Sequence, residues 1–403
     1  MAFETPEDRH EPLSALEPVR LAEGSPHRPS LTDLALELAQ QSAGFRRSLP
    51  ATLTRSLADL VRSMNCYYSN LIEGHNTHPV DIEPALKGDY SGDAAKRNLQ
   101  LEAQAHIMVQ RWIDDAGLVS PVSNATSLRT IHRRFCEHLP PELLSVEDPL
   151  TRSYLPVVPG EFRTHDVVVG QHLAISAGAV PRFLRRFEEA YAPLGKTETI
   201  LAMAAMHHRM LWIHPFLYGN GRVARLMSHA TLIHSLETGG LWSIARGLAR
   251  NVVAYKAHLT ACDQPRRNDL DGRGQLSEES LAEFTRFFLS TCLDQVTFME
   301  RLMQPDRLRA RILQWADLEV RTNALPQRAQ SVLEALLYRG ELPRGDLPGI
   351  VGTGDRQSRR VVTALADTGV VVSESSRAPL KLAFPAKLAS QWMPGLFPEQ
   401  VVS

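Results

Sequence analysis

The chain has 403 residues, 43% hydrophobic and 22% charged, with 44 Lys plus Arg, 45 Asp plus Glu and a net charge of −1. This is the composition of a globular protein of two or three domains, and its near-zero balance excludes a whole-molecule electrostatic case for nucleic-acid binding. No apolar run approaches the ~20 residues of a membrane span, and the widely spaced Cys66, Cys136, Cys262 and Cys292 exclude a CxxC zinc ribbon or a disulfide framework.

Residues 1–30 are rich in Pro, Glu and Ser and lack the apolar stretch of a signal peptide. They are expected to form a flexible arm, and the chain as a whole is expected in the cytoplasm. Helical spacing then dominates. The segments 31–41, 56–72, 94–113 and 180–192 each place apolar residues three and four apart. The expected organisation is a helical region over 31–115 and a helical core over 116–300. One strand-like island, Phe162-Arg163 followed by Val167-Val168-Val169, reads as a short hairpin on that helical body.

The pattern changes after about Arg321. Residues 322–390 read as helix, short helix, helix and two short β segments, the order of a winged helix-turn-helix. The helices are expected at 327–338, 344–350 and 355–367, with Asp355 as an N-cap and a wing over 369–384. The third helix opens with Arg356, Arg359 and Arg360, side chains suited to phosphates and base edges. Eight basic residues against six acidic ones between 325 and 385 make a weak patch. DNA binding and protein docking both remain open for this module.

The chemistry concentrates in Leu211-Trp-Ile-His214-Pro-Phe216-Leu-Tyr218-Gly219-Asn220-Gly221-Arg222-Val-Ala-Arg225. His214 precedes a proline, which disfavours helix at its own position. It is therefore expected where one helix stops and a loop begins. Gly219-Asn220-Gly221 permits positive φ and close backbone approach. Such a turn feeding a helix start gathers N–H groups into an anion-binding nest. Arg222 and Arg225, three apart, share one face of the next helix and complete a polyphosphate clamp. His214 at its mouth has the side chain of a general base. The constellation points to phosphoryl or nucleotidyl transfer to a hydroxyl.

This stretch resembles the Fic family signature HPFx(D/E)GNGRxxR through His214, Pro215, Phe216, Gly219, Asn220, Gly221, Arg222 and Arg225. The resemblance covers roughly residues 30–300. Val167, Val168, Val169 and Gly170 look like the family's flap, and residues 129–132 and 281–289 like its flanking helices. It implies an all-α fold: a Fic-type helical core with a short β-hairpin flap, followed by the small C-terminal winged helix. It also implies a protein adenylyltransferase that moves AMP from ATP to Ser, Thr or Tyr hydroxyls. His214 is then the base, and Asn220 with the Gly219–Gly221 backbone holds the α- and β-phosphates. Arg222 meets the β-phosphate, Arg225 the γ-phosphate, and Phe216 anchors the loop. The flap holds the target segment by strand addition. Tyr255 resembles the tyrosine lining the adenine pocket, and equally reads as a core tyrosine. The family's Mg²⁺-binding Asp or Glu is replaced by Tyr218, a poor ligand for a hard cation, so weakened metal dependence is expected.

Ser69-Asn-Leu-Ile-Glu73-Gly74 resembles the family's inhibitory motif (S/T)xxxE(G/N). Glu73 at a helix end stopped by Gly74 is expected to pair with Arg225 and withhold it from the nucleotide. A dimer that gates Glu73 is in keeping with the family. The same glutamate supports removal of AMP in some relatives, so hydrolysis, another phosphate-bearing donor, or a DNA-binding regulator with a nucleotide-sensing core are the other readings. Residues 269–280 hint at a calcium loop, but Arg273 and Ser280 break the ligand set; a surface turn capped at Ser277 is expected. His207, His208, His229 and His234 lack metal-ligand spacing and are expected on ordinary helix surfaces.

Overall fold

A computed structural model describes residues 6–148 and 152–398. Residues 1–5 of the expected arm, 149–151 inside the expected core and the tail from 399 lie outside the described residues. The helices are α1 (Arg28–Arg47), α2 (Ala51–Ile72), α3 (Pro79–Ala85), α4 (Ala94–Asp114), α5 (Ala125–Cys136), α6 (Val180–Tyr191), α7 (Lys196–Ile213), α8 (Asn220–Leu236), α9 (Ile244–Arg250), α10 (Val252–Cys262), α11 (Glu278–Leu302), α12 (Pro305–Arg321), α13 (Ala329–Arg339), α14 (Leu347–Val351), α15 (Asp355–Asp367) and α16 (Ala389–Trp392). The strands are short: β1 (Ser145–Glu147), β2 (Tyr154–Pro156), β3 (Val168–Val169), β4 (His172–Leu173), β5 (Glu341–Leu342), β6 (Val371–Val372) and β7 (Leu380–Leu382). The fold is thus mostly helical, as its periodicity predicts. The chain divides into two compact units, one drawn from residues 1–42, 65–238 and 243–295, the other from 43–64, 239–242 and 296–403.

The first unit is built around α7 and α8. Residues 200–210 of α7 and 222–232 of α8 are buried without interruption. A helix apolar on all sides belongs in the middle of a bundle, and α6, α4, α5 and α9 pack around this pair. Phe183, Phe187, Phe216, Phe284 and Phe288 are fully buried in this unit. All four cysteines are free, buried and in this unit. This unit also holds the antiparallel pairs β1–β2 and β3–β4.

Three expectations are corrected here. The described part of the supposed flexible arm is packed: Leu16, Val19 and Leu21 are buried, Arg182 pairs with Asp8 at 2.8 Å, and the buried Arg209 donates to the Pro18 carbonyl at 2.8 Å. The arm's polarity supplies partners for arginines of α6 and α7 rather than solvating a free tail. The hairpin is β3–β4, with Val168 opposite Leu173; Phe162 and Arg163 are coil, because the Arg163 side chain is drawn into the core. His207, His208 and His229 are buried rather than surface residues. Their helices are enclosed on every face, and each ring has a partner: Ser228 and Tyr255 for His207, Asp263 for His208, Asp114 for His229.

In the second unit, α13 packs on α12, α14 and α15, and a three-stranded antiparallel sheet runs in the order β5-β7-β6. Trp315 meets Trp392 edge-on at 5.1 Å. The three expected helices over 322–390 are present. Helix α15 is capped at Gly354, with Asp355 in its first turn, where a carboxylate complements the helix dipole.

Candidate functional site

Two helix ends face each other at the site. Helix α7 stops at His214, which adopts φ 51° and ψ 60°. The proline that follows removes ordinary helix as an option, and the left-handed conformation turns the chain sharply. Five residues after His214, Gly219, at φ 79°, starts α8. A side chain at position 219 would have room; the positive φ is what requires glycine.

The loop between them is braced from inside. The Asn220 amide accepts from the Phe216 N–H at 3.0 Å and donates to the Phe216 carbonyl at 2.7 Å. Asn220 is 3% exposed. Its side chain braces the loop through the Phe216 backbone. Phe216 is fully buried and stacks on the His132 ring at 4.0 Å. His132 accepts from Gly160 N–H at 2.9 Å and donates toward the Tyr218 carbonyl at 3.2 Å. Burial pushes it down to about 4, so the ring is neutral.

Arg163 performs the same service for His214. Its guanidinium, 3% exposed, donates to the carbonyls of His214 (2.8 Å), His165 (2.9 Å) and Ile175. Its own N–H donates to Pro215 at 2.9 Å. The His214 ring is half-buried, and its Nδ1 donates to the Leu211 carbonyl at 3.3 Å. That tautomer leaves Nε2 free to accept a proton. Burial, reinforced by the positive charge of Arg163, pulls its pKa down to about 4. At neutral pH the ring is an unprotonated base.

Across the cleft stands the end of α2. Gly74 at φ 88° and the His75 N–H to Asn70 carbonyl bond of 2.9 Å stop that helix in a Schellman turn. The turn projects Glu73 at Arg225, 2.5 Å away. Ser69 Oγ accepts from Arg225 Nε at 2.8 Å, and the Ser69 carbonyl takes a second bond at 3.1 Å. Burial alone would raise the Glu73 pKa; attraction to Arg225 and Arg222 outweighs it and holds the carboxyl below its ordinary value. A Cβ on Gly221 would collide with the Glu73 carboxylate. The carboxylate thus sits at the start of α8, the seat a helix N-terminus offers to an anion. Ser69, Glu73, Gly74, Gly221 and Arg225 come together here.

Arg222 is placed differently from expectation. It forms a buried ion pair with Glu102 of α4. Glu102 is fully buried and also meets His75 Nδ1 at 2.7 Å, and the Tyr218 hydroxyl donates toward it at 3.4 Å. Arg222 Nε is buried without a hydrogen-bond partner. Tyr255 is 2% exposed, and its hydroxyl meets His207 Nε2 at 2.7 Å. It also lines the cleft of about 440 Å³ bounded by Glu73, Gly170, His214, Gly221 and Arg225; it is a core tyrosine at the cleft wall. Val168 and Val169 of the hairpin are exposed beside it, and His172 of β4 ties the hairpin to the Trp212 carbonyl at 2.9 Å. Glu102, His75 and Arg163 were not identifiable from motif spacing.

A protein-held Mg²⁺ does not fit this donor set. Burial pushes the Tyr218 phenol up to about 12, so it offers no anionic oxygen. Both nearby carboxylates, Glu73 and Glu102, are bound to arginines. Among the described residues no group of three or more acidic, His or Cys side chains is arranged for a metal.

The fold and site define a helical protein whose central helix start is built to face an anion. Residues 123–232 match the Fic/DOC family: the chain carries a Fic domain. It is 24% identical over 226 residues to the protein adenylyltransferase Fic of Drosophila erecta, a match covering 53% of this chain and 42% of that one. It is 33% identical over 174 residues to the Drosophila willistoni protein of the same name, covering 42% and 31%. The match thus spans less than half the length of these relatives. Its fold resembles the crystal structure of a Fic family protein from Desulfovibrio desulfuricans G20, with a TM-score of 0.51 at 16% identity, over 90% of this chain and 98% of that one.

Proposed function

We propose that this chain is an autoinhibited nucleotidyltransferase that moves AMP from ATP to a protein hydroxyl. The observation that carries the reading is the Glu73–Arg225 pair across the start of α8, facing a neutral His214. In the active state Glu73 leaves, and Arg225 with the Gly219–Gly221 backbone takes the polyphosphate. A target segment pairs with β3–β4 by strand addition. His214 Nε2 accepts the proton of the target hydroxyl as its oxygen attacks the α-phosphorus and pyrophosphate leaves. Relatives named protein adenylyltransferase support this class.

The test uses α-labelled ATP on wild type, Glu73→Gly, and Glu73→Gly with His214→Ala. Label on protein should rise about 10- to 100-fold in Glu73→Gly, the range a charge-assisted hydrogen bond of about 1.5–3 kcal/mol implies. It should vanish with His214→Ala. Equal labelling of wild type and Glu73→Gly removes the autoinhibitory reading.

A second reading concerns residues 322–390. Arg356, Arg359 and Arg360 are exposed on α15, as a winged helix docking on DNA requires. A fluorescent duplex bound by the chain and released by Arg359→Ala with Arg360→Ala supports a DNA-binding regulator. The same result with unchanged AMP transfer makes the two roles coexist.

A further inference from the structure

The two arginines of the clamp have counter-ions of opposite character. Glu73 is 31% exposed, ends a helix beside a glycine, and can swing into solvent. Glu102 sits within α4, fully buried, and Arg222 is 3% exposed. Separating the latter pair would leave an uncompensated buried charge, among the most destabilising events in a protein interior. The pair is further held by His75 and by the Tyr218 hydroxyl. Release of Glu73 therefore frees one guanidinium, not two. The carboxylate that a metal would need is either absent, at Tyr218, or spent on Arg222, at Glu102.

We propose that Glu102 is a positioning residue that permanently holds and neutralises Arg222, so that this site takes a metal-free polyphosphate through Arg225 and the α8 backbone alone. The proposal rests on the nucleotide-binding reading above. It goes beyond the replacement at position 218, because it names the charge that balances the site. Tyr218 and Glu102 act as one unit: the phenol hydrogen-bonds the carboxylate and its ring lies against the Arg222 guanidinium, 5.6 Å from the ring centre.

The experiment measures ATP binding by calorimetry to the full chain carrying Glu73→Gly, once with EDTA and once with Mg²⁺. The two dissociation constants should agree within about threefold. Adding Glu102→Gln should tighten metal-free ATP at least tenfold, because a buried negative charge beside the phosphates disappears and Arg222 is released. Adding Tyr218→Asp should make binding at least tenfold tighter with Mg²⁺ than without. Thermal unfolding of each variant checks that it folds. If Glu102→Gln does not fold, the comparison of EDTA with Mg²⁺ in Glu73→Gly decides alone. Tenfold strengthening by Mg²⁺ in Glu73→Gly, or weaker metal-free ATP in a folded Glu102→Gln, overturns the proposal while leaving nucleotide binding intact. Failure of ATP to bind under either condition overturns both.

Discussion

His214 occupies a backbone conformation that costs an L-residue about 1–2 kcal/mol, and the surroundings must hold it there. Arg163 does so through carbonyls on both sides of the turn. Arg163→Met should therefore lower kcat for transfer at least tenfold, about 1.4 kcal/mol in the barrier, and leave the ATP dissociation constant within about twofold. Single-turnover rates beside calorimetry check this split; an equal loss in both assigns Arg163 to binding. His214 also sets a pH limit. Its functional form is unprotonated and its pKa lies at about 4. Transfer should hold its rate from pH 7 down to about 5 and fall below that, rather than fall near 6.5. A pH–rate profile of Glu73→Gly reads it directly. At this scale the motif residues were legible because each has a local reason: a proline after His214, a positive φ at Gly219, and the close approach of the Glu73 carboxylate at Gly221. Asn220 was assigned to the phosphates through the family resemblance. Its side chain also closes on the backbone four residues earlier, which spacing alone does not reveal.

At the scale of elements, α4 explains why Glu102 escaped notice. Glu102, His106 and Gln110 recur every four residues, the pattern of a solvated face. All three are buried; Glu102 meets Arg222 of α8 and Gln110 accepts from Asn65 of α2 at 2.5 Å. Periodicity distinguishes two faces of a helix but not which of them meets water when a second polar helix start lies opposite. The hairpin β3–β4 shows the reverse case. Its valines are apolar and yet exposed, consistent with an edge kept open for a partner strand. Val168→Pro removes a ladder donor from that edge. It should lower transfer to a protein target at least tenfold and leave ATP affinity unchanged, as a comparison of target labelling with calorimetry reads. Unchanged labelling would take the hairpin out of substrate binding.

For the molecule as a whole, five histidines whose pKa values are depressed, four of them buried and His214 half-buried, set the response to acid. Burial pushes His106 and His207 down to about 3, and His132, His208 and His214 down to about 4. Between the ordinary pKa near 6.5 and these values the unfolded chain binds protons that the native state refuses. Stability therefore rises with pH across this window, and falls as pH is lowered from about 6.5 toward 4. Each such histidine contributes about 1.4 kcal/mol per pH unit. Urea unfolding at pH 7 and pH 5 should differ by at least about 3 kcal/mol in the transition that includes the first unit. A pH-independent transition would contradict the buried, neutral state of these rings. Helix content and the His214–Arg225 stretch followed from periodicity and motif. The packed N-terminal segment and the enclosed histidines did not, since both depend on which surfaces meet after the chain folds.

The four cysteines lend the protein an internal clock. Each thiol is buried, which raises its pKa and suppresses the reactive thiolate, and all four belong to one of the two units. A brief pulse of an alkylating reagent therefore records how often that unit opens and stays blind to the other. Counted by intact mass, labelling that appears in steps of four marks a unit opening in one piece, and single additions mark it breathing region by region.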